Sequence, residues 1–214
     1  MNYILYGAEL IGTVAFALSG AILAIRKKLD LFGILFLGVV TALGGGTIRD
    51  LLLGHTPPRM FYNIEYVSLS IASALLVFFV ARFSTHDWHK PNRTLDFLFV
   101  FSDALGLGIF SVIGTQAGIA AGYGENGFLC VILGMTTGVG GGILRDIMCN
   151  DIPSVLRKHI YAVAAIVGGA SFYALDRIGV EESAGYLFGM ALTVILRLLA
   201  WHYHWNLPRV EQRI

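Results

Sequence analysis

The chain has 214 residues, of which 56% are hydrophobic and 14% charged, against about 45–50% and about 25% in soluble domains. Fifteen basic and 14 acidic residues leave a net charge of +1, too small a field to recruit nucleic acid. This composition excludes a nucleic-acid binder and points to a protein whose solvent is the lipid bilayer.

A spanning helix needs about 20 mostly apolar residues. Such runs fall at 3–24, 31–53, 63–82, 95–117, 127–149, 158–176 and 184–204. The first is not a cleaved leader: no positive charge precedes it, Glu9 interrupts it and Arg26-Lys27-Lys28 follow it, the reverse of a signal peptide. The second carries Gly44-Gly45-Gly46 and then Arg49-Asp50, while the fourth contains Asp103. The fifth repeats the pattern as Gly140-Gly141-Gly142 and Arg145-Asp146. It also holds Cys130 and Cys149, which lack metal-ligand spacing and read as small buried hydrophobes. His202 and His204, two apart at the end of the seventh run, point in different directions on a helix and read as interfacial anchors beside Trp201 and Trp205. His86, Asp87 and His89 read as a solvated joint. No nucleophile elbow, phosphate loop or zinc-protease motif occurs, so neither an enzyme nor a nucleotide-driven pump is expected. No cofactor is implied.

Assigning the joints to alternate sides puts Arg26, Lys27, Lys28, Arg82, Lys90, Arg93, Arg157, Lys158, Arg209 and Arg213 on one face, and only Arg59 and Arg177 on the other. Ten against two is a positive-inside bias, which predicts an outside N-terminus and a cytoplasmic C-terminus. Trp88, Trp201, Trp205, Tyr3, Tyr62 and Tyr203 lie near span ends, where an aromatic belt belongs.

The chain matches itself. At a shift of 96, Gly44-Gly45-Gly46-Thr47-Ile48-Arg49-Asp50 falls on Gly140-Gly141-Gly142-Ile143-Leu144-Arg145-Asp146, identical at five of seven positions, with Gly38, Thr41 and Pro57 on Gly134, Thr137 and Pro153. At a shift of 94, Glu9, Gly12, Phe16 and Gly20 fall on Asp103, Gly106, Phe110 and Gly114. Each copy holds three spans, an odd number, so the second enters the membrane from the opposite side. The expected fold is therefore all-α and polytopic: a single transmembrane domain over 1–214, with inverted repeats at 3–83 and 95–176 and a seventh helix at 184–204.

Three glycines in a row predict a kinked or unwound second and fifth helix, because each costs about 1 kcal/mol in a helix and admits angles closed to other residues. Close helix packing is the alternative. At 1.5 Å per residue, Gly44 lies roughly 20 Å and Arg49 roughly 27 Å into the second span. Freed carbonyls at the breaks, with the hydroxyls of Thr41, Thr47, Thr136 and Thr137, would replace part of a cation's hydration shell. Glu9 and Asp103 add negative charge. Charges inside a span must face protein or water, so Arg49 and Arg145 are expected either to line the path, neutralised by acids, or to pin the halves together as structural ion pairs.

These features resemble the prokaryotic branch of the trimeric intracellular cation channels: the doubled Gly-Gly-Gly-x-x-Arg-Asp signature, the two three-span repeats and the seventh helix, over about residues 5 to 205. The resemblance implies a homotrimer in a bacterial inner membrane, with a pore in each protomer, kinked second and fifth helices, and conduction of monovalent cations, potassium or sodium, with potassium favoured physiologically. Animal members carry a Lys-Glu-Val element linked to phosphoinositide binding; no such triplet occurs here. Related bacterial sequences are also described as glycine transporters. A secondary carrier for a small amino acid is thus the alternative to a channel, and a non-conducting structural membrane protein is a third reading.

Overall fold

A computed structural model describes residues 3–85, 88, 90, 92–157 and 160–205. His86, Asp87, His89, Lys158, Arg209 and Arg213, named above, lie outside them. The described residues form eight α-helices: α1 (Tyr3–Arg26), α2 (Leu31–Leu52), α3 (Ile64–Phe83), α4 (Arg93–Gly118), α5 (Gly127–Met148), the single turn α6 (Ser154–Arg157), α7 (Ile160–Arg177) and α8 (Glu182–His202). By length and composition α1, α2, α3, α4, α5 and α8 are able to cross a membrane. The 18-residue α7 ends in Asp176-Arg177 and stands where the sixth span was expected.

Helix starts follow their caps. Asp30 accepts from Gly33 N at 2.8 Å to begin α2, and Asn126 accepts from Leu129 N at 3.1 Å to begin α5, each satisfying a donor that the helix leaves unpaired. Both helices also stop alike. Gly54 (φ 73°) and Asn150 (φ 55°), again 96 apart, take left-handed backbone just past the last turn, a conformation these two residue types tolerate.

The central layer comprises α1, α2, α4 and α5; α3 packs on α1 and α2, α7 on α4 and α5, and α8 on α4 and α7. Contacts between the repeats are reciprocal. A methyl group on Gly45 would strike the carbonyl of Thr137, and one on Gly141 that of Thr41. Phe16 and Phe110 stack on each other with centroids 5.4 Å apart. Gly20 takes the Thr41 hydroxyl against its backbone, and Gly114 that of Thr137. The paired positions in each case are those of the sequence repeat.

Ion pairs sort the joints into two groups. Arg26 meets Asp96 at 2.9 Å and Lys27 meets Asp151 at 2.6 Å, so the end of α1, the start of α4 and the end of α5 share one side. At the opposite end Arg177 meets Glu125 at 2.8 Å and Gln116 donates to Glu182 at 2.9 Å. This is the alternation from which the basic residues were assigned.

At the glycine triplets the expected unwinding is absent. Both α2 and α5 remain α-helical throughout, and none of the six glycines has positive φ. No turn is unwound, so the carbonyls expected to be freed stay in the helical ladder. Thr41, Thr47 and Thr137 return their hydroxyls to the carbonyls of Leu37, Leu43 and Leu133. The physical reason is proximity: the two helices cross backbone to backbone at Gly45 and Gly141, and the packing gained there outweighs the poor helix propensity of glycine.

An apolar cavity of about 650 Å³ lies between α1, α3 and α4, with Val14, Ala15 and Leu18 in its wall. Their repeat counterparts on α4, Gly108, Ile109 and Val112, are covered by Met190, Thr193 and Gly189 of α8. The seventh long helix thus fills in one half the groove that is open in the other.

Candidate functional site: two buried charge centres flanking a glycine crossing

The signature places one Arg-Asp pair on each side of the crossing. At the end of α2, Arg49 Nε and Nη2 donate to Asp50 Oδ1 at 3.0 and 2.8 Å, and Asp50 Oδ2 accepts from the backbone N–H of Arg59 at 2.9 Å. At the end of α5, Arg145 Nε donates to Asp146 Oδ1 at 2.9 Å, and Asp146 Oδ2 accepts from Ser154 N at 2.6 Å. In both, the carboxylate ties the guanidinium to the loop that turns back toward the next helix. Such charges are costly in a bilayer unless paired.

Beyond this shared core the two centres differ. Arg145 is 0% exposed, and its Nη1 reaches Asp103 on α4 at 2.6 Å and Ser19 on α1 at 3.0 Å. Phe99 lies under it, 5.0 Å from guanidinium carbon to ring centroid. Arg49, 7% exposed, has no such bridge to Glu9, the repeat counterpart of Asp103. Glu9 instead accepts from the Tyr66 hydroxyl at 2.6 Å.

Glu9 also faces a cavity of about 70 Å³, whose wall includes Thr13, Gly46, Thr47, Arg49, Asp50, Arg59, Asn63 and Tyr66. The fold therefore gathers Glu9, Gly46, Thr47, Arg49 and Asp50 in one place, and Asp103, Arg145 and Asp146 in another. Gly44, Gly45, Gly140 and Gly141 are used in helix contact, with Leu144, Thr137, Ile48 and Thr41 respectively as neighbours. Gly142 sits beside the Tyr161 hydroxyl. Thr41 and Thr137 are buried, and Thr136 is half-buried on a different face of α5 from its neighbour Thr137.

Sequence reasoning missed Ser19, Tyr66, Phe99, Tyr161 and Arg197. Arg197, in the C-terminal part of α8 and 3% exposed, lays its guanidinium 4.9 Å from the Tyr161 ring centroid. An arginine inside an apolar span is itself a signal. So is the recurrence of tyrosine at 66 and 161 within the repeat. Ser19 carries no signal, since only the fold brings α1 against the end of α5.

The sequence profile of a family described as glycine transporter matches this chain twice, at residues 6–82 and 100–177, once for each repeat. A UPF0126 membrane protein of Vibrio cholerae is 37% identical over 205 residues, covering 96% of this chain and 82% of that protein. The UPF0126 inner membrane protein YadS of Escherichia coli K12 is 36% identical over 208 residues, covering 96% and 95%. Among solved structures, the TRIC trimeric intracellular cation channel orthologue from Rhodobacter sphaeroides aligns with a TM-score of 0.85 at 33% identity, over 94% of this chain and 99% of that one. A structure described as the basis for conductance through TRIC cation channels aligns with a TM-score of 0.83 at 37% identity, over 97% of both chains. Two profile matches in register with the repeat, and full-length likeness at these identities, show that the chain is a membrane protein belonging to the prokaryotic trimeric intracellular cation channel family, whose repeat is described as a glycine transporter domain.

Proposed function

We propose that the protein is a passive channel for monovalent cations, favouring potassium, in a bacterial inner membrane. It works as a homotrimer with one path per protomer. Each protomer has seven spans, two inverted three-helix repeats and a seventh helix, with the N-terminus outside and the C-terminus cytoplasmic. The path runs beside α2 and α5, from the Glu9–Asp50 cavity at one end to the Asp103–Asp146 centre at the other, with Thr47 and Thr13 among its polar groups.

One observation carries this reading. Each signature arginine is held by a carboxylate, Arg49 by Asp50 and Arg145 by Asp103 and Asp146, so neither presents a bare positive charge to a permeating ion. Glu9 is left as a carboxylate without a guanidinium on it, facing the cavity. Negative charge at the mouth of a narrow low-dielectric path concentrates cations and repels anions. The solved relatives are described as cation channels, and one of them as trimeric.

A second reading, a carrier for a small zwitterion such as glycine, has its own observation: Glu9 and the exposed Arg59 both line the cavity, one group for an ammonium and one for a carboxylate. Reconstitution in a planar bilayer under a potassium gradient separates the two. Unitary currents reversing near the potassium equilibrium potential support the channel, and Glu9→Gln lowers their conductance. Saturable glycine uptake without unitary currents would replace it with the carrier.

A further inference from the structure

The two charge centres contain the same parts in different arrangements. In the first repeat the acid on the leading helix, Glu9, is bonded by the hydroxyl of Tyr66, and Asp50 is the one acid paired with Arg49 among the described residues. In the second the acid, Asp103, is bonded by Arg145. The counterpart of Tyr66 is Tyr161. The loops after α2 and α5 run in register at a shift of 95, since Asp50 takes the backbone N–H of Arg59 where Asp146 takes that of Ser154. Tyr66 and Tyr161 are 95 apart as well.

Tyr161 is 1% exposed, yet its hydroxyl has no hydrogen-bond partner among the described residues. It lies against Gly142, one turn from Arg145, with Arg197 over its ring. Leaving a buried hydroxyl without a partner is costly, and such a group marks a bond made in another arrangement or a site of strain. The first repeat shows what that other arrangement is: the tyrosine on the acid and the arginine released from it.

We infer that each centre is a two-position latch, in which the acid on α1 or α4 chooses between a tyrosine and an arginine, and that the two latches are thrown in opposite senses. In the structure the second is closed, with Asp103 holding α4 to α5 through Arg145, and the first is open, with Glu9 held back on α3 by Tyr66. The alternative conformation exchanges them. Arg49 bridges α2 to Glu9 on α1, and Asp103 swings to the Tyr161 hydroxyl, relieving its lack of a partner. Inverted repeats make this exchange natural, because the two conformations are then mirror uses of one set of contacts and differ little in energy. The α2–α5 crossing couples them: with Gly45 on the Thr137 carbonyl and Gly141 on that of Thr41, neither helix shifts at one end without the other following. The latch rests on the reading of the repeats as inverted halves of one cation path, and it sets which end of that path is the narrower.

The test places a single thiol in each centre, Thr47→Cys in the first and Ile143→Cys at the matching position of the second. Reaction with a membrane-impermeant cationic thiol reagent is timed in proteoliposomes. Tyr66→Phe removes a bond of the observed arrangement, so labelling should fall at Thr47→Cys and rise at Ile143→Cys, with the ratio changing by about tenfold, as expected for one hydrogen bond to a charged group. Asp103→Asn should move both rates the same way as Tyr66→Phe, and Tyr161→Phe should move both in reverse. The decisive readings are the distant ones: Asp103→Asn acting at Thr47→Cys, and Tyr66→Phe acting at Ile143→Cys. Rates that change only beside the substitution, that rise together, or that do not change overturn the latch. Potassium flux is followed in the same vesicles. Opposed labelling without flux keeps the latch and removes the channel; flux without opposed labelling does the converse.

Discussion

Within each glycine triplet the three positions carry different duties. Gly45 has no room for a methyl group, because the carbonyl of Thr137 stands where it would go. At Gly46 the nearest atom, Arg49 Nη2, is 3.7 Å from where a Cβ would lie. Gly45→Ala should therefore force α2 and α5 apart and destabilise the protein by about 1–3 kcal/mol, the usual cost of overpacking. Gly46→Ala should be neutral or stabilising by up to about 1 kcal/mol, from helix propensity alone. Thermal unfolding of the two variants in detergent compares them directly. Equal loss in both would return the triplet to a role in backbone flexibility.

Among the elements, α8 is held by close backbone approach. Gly168 of α7 and Gly189 of α8 each face the other's carbonyl, and a Cβ on Gly189 would lie 2.9 Å from Gly168 O and 2.9 Å from Val112 Cγ2. Gly185, Gly189 and Thr193, spaced by four, form the contact stripe. Gly189→Leu should loosen α8 while the four central helices stay assembled, since α8 packs mainly on α4 and α7. The joint before α8 then becomes a better protease substrate, and cleavage after Glu181 should rise severalfold. Phe188→Leu, one residue away on the exposed face, should leave the rate unchanged. Equal cleavage in both variants would show that the stripe does not anchor the helix.

For the whole molecule, the ion pairs group the joints, and the proposed positive-inside orientation assigns each group a side. Arg26 and Lys27 belong to the side that also holds Asp96 and Asp151, while Arg177 belongs with Glu125 on the other. Single cysteines in place of Lys27 and Arg177 should react with an impermeant reagent from opposite sides in intact cells, Arg177→Cys from outside and Lys27→Cys only after permeabilisation. The reverse pattern would invert the topology but leave the grouping intact.

The sequence alone determined the repeat, the positions of the long helices to within a few residues and the pairing of every signature position, because these follow from hydrophobic periodicity and identity along the chain. It also marked both Arg-Asp pairs, since charge inside an apolar span is visible without coordinates. Two matters were decided only by the tertiary structure. Whether glycines break a helix or join two depends on what stands beside them, and Gly45 and Gly141 stand against each other's helices, so the ladder survives. Which acid neutralises which arginine depends on side chains far apart in the chain: Asp103 and Ser19 reach Arg145, while Tyr66 withholds Glu9 from Arg49. A repeat in sequence predicts equal parts in the two halves. Only packing, in which each side chain settles against its actual neighbours, made the halves unequal.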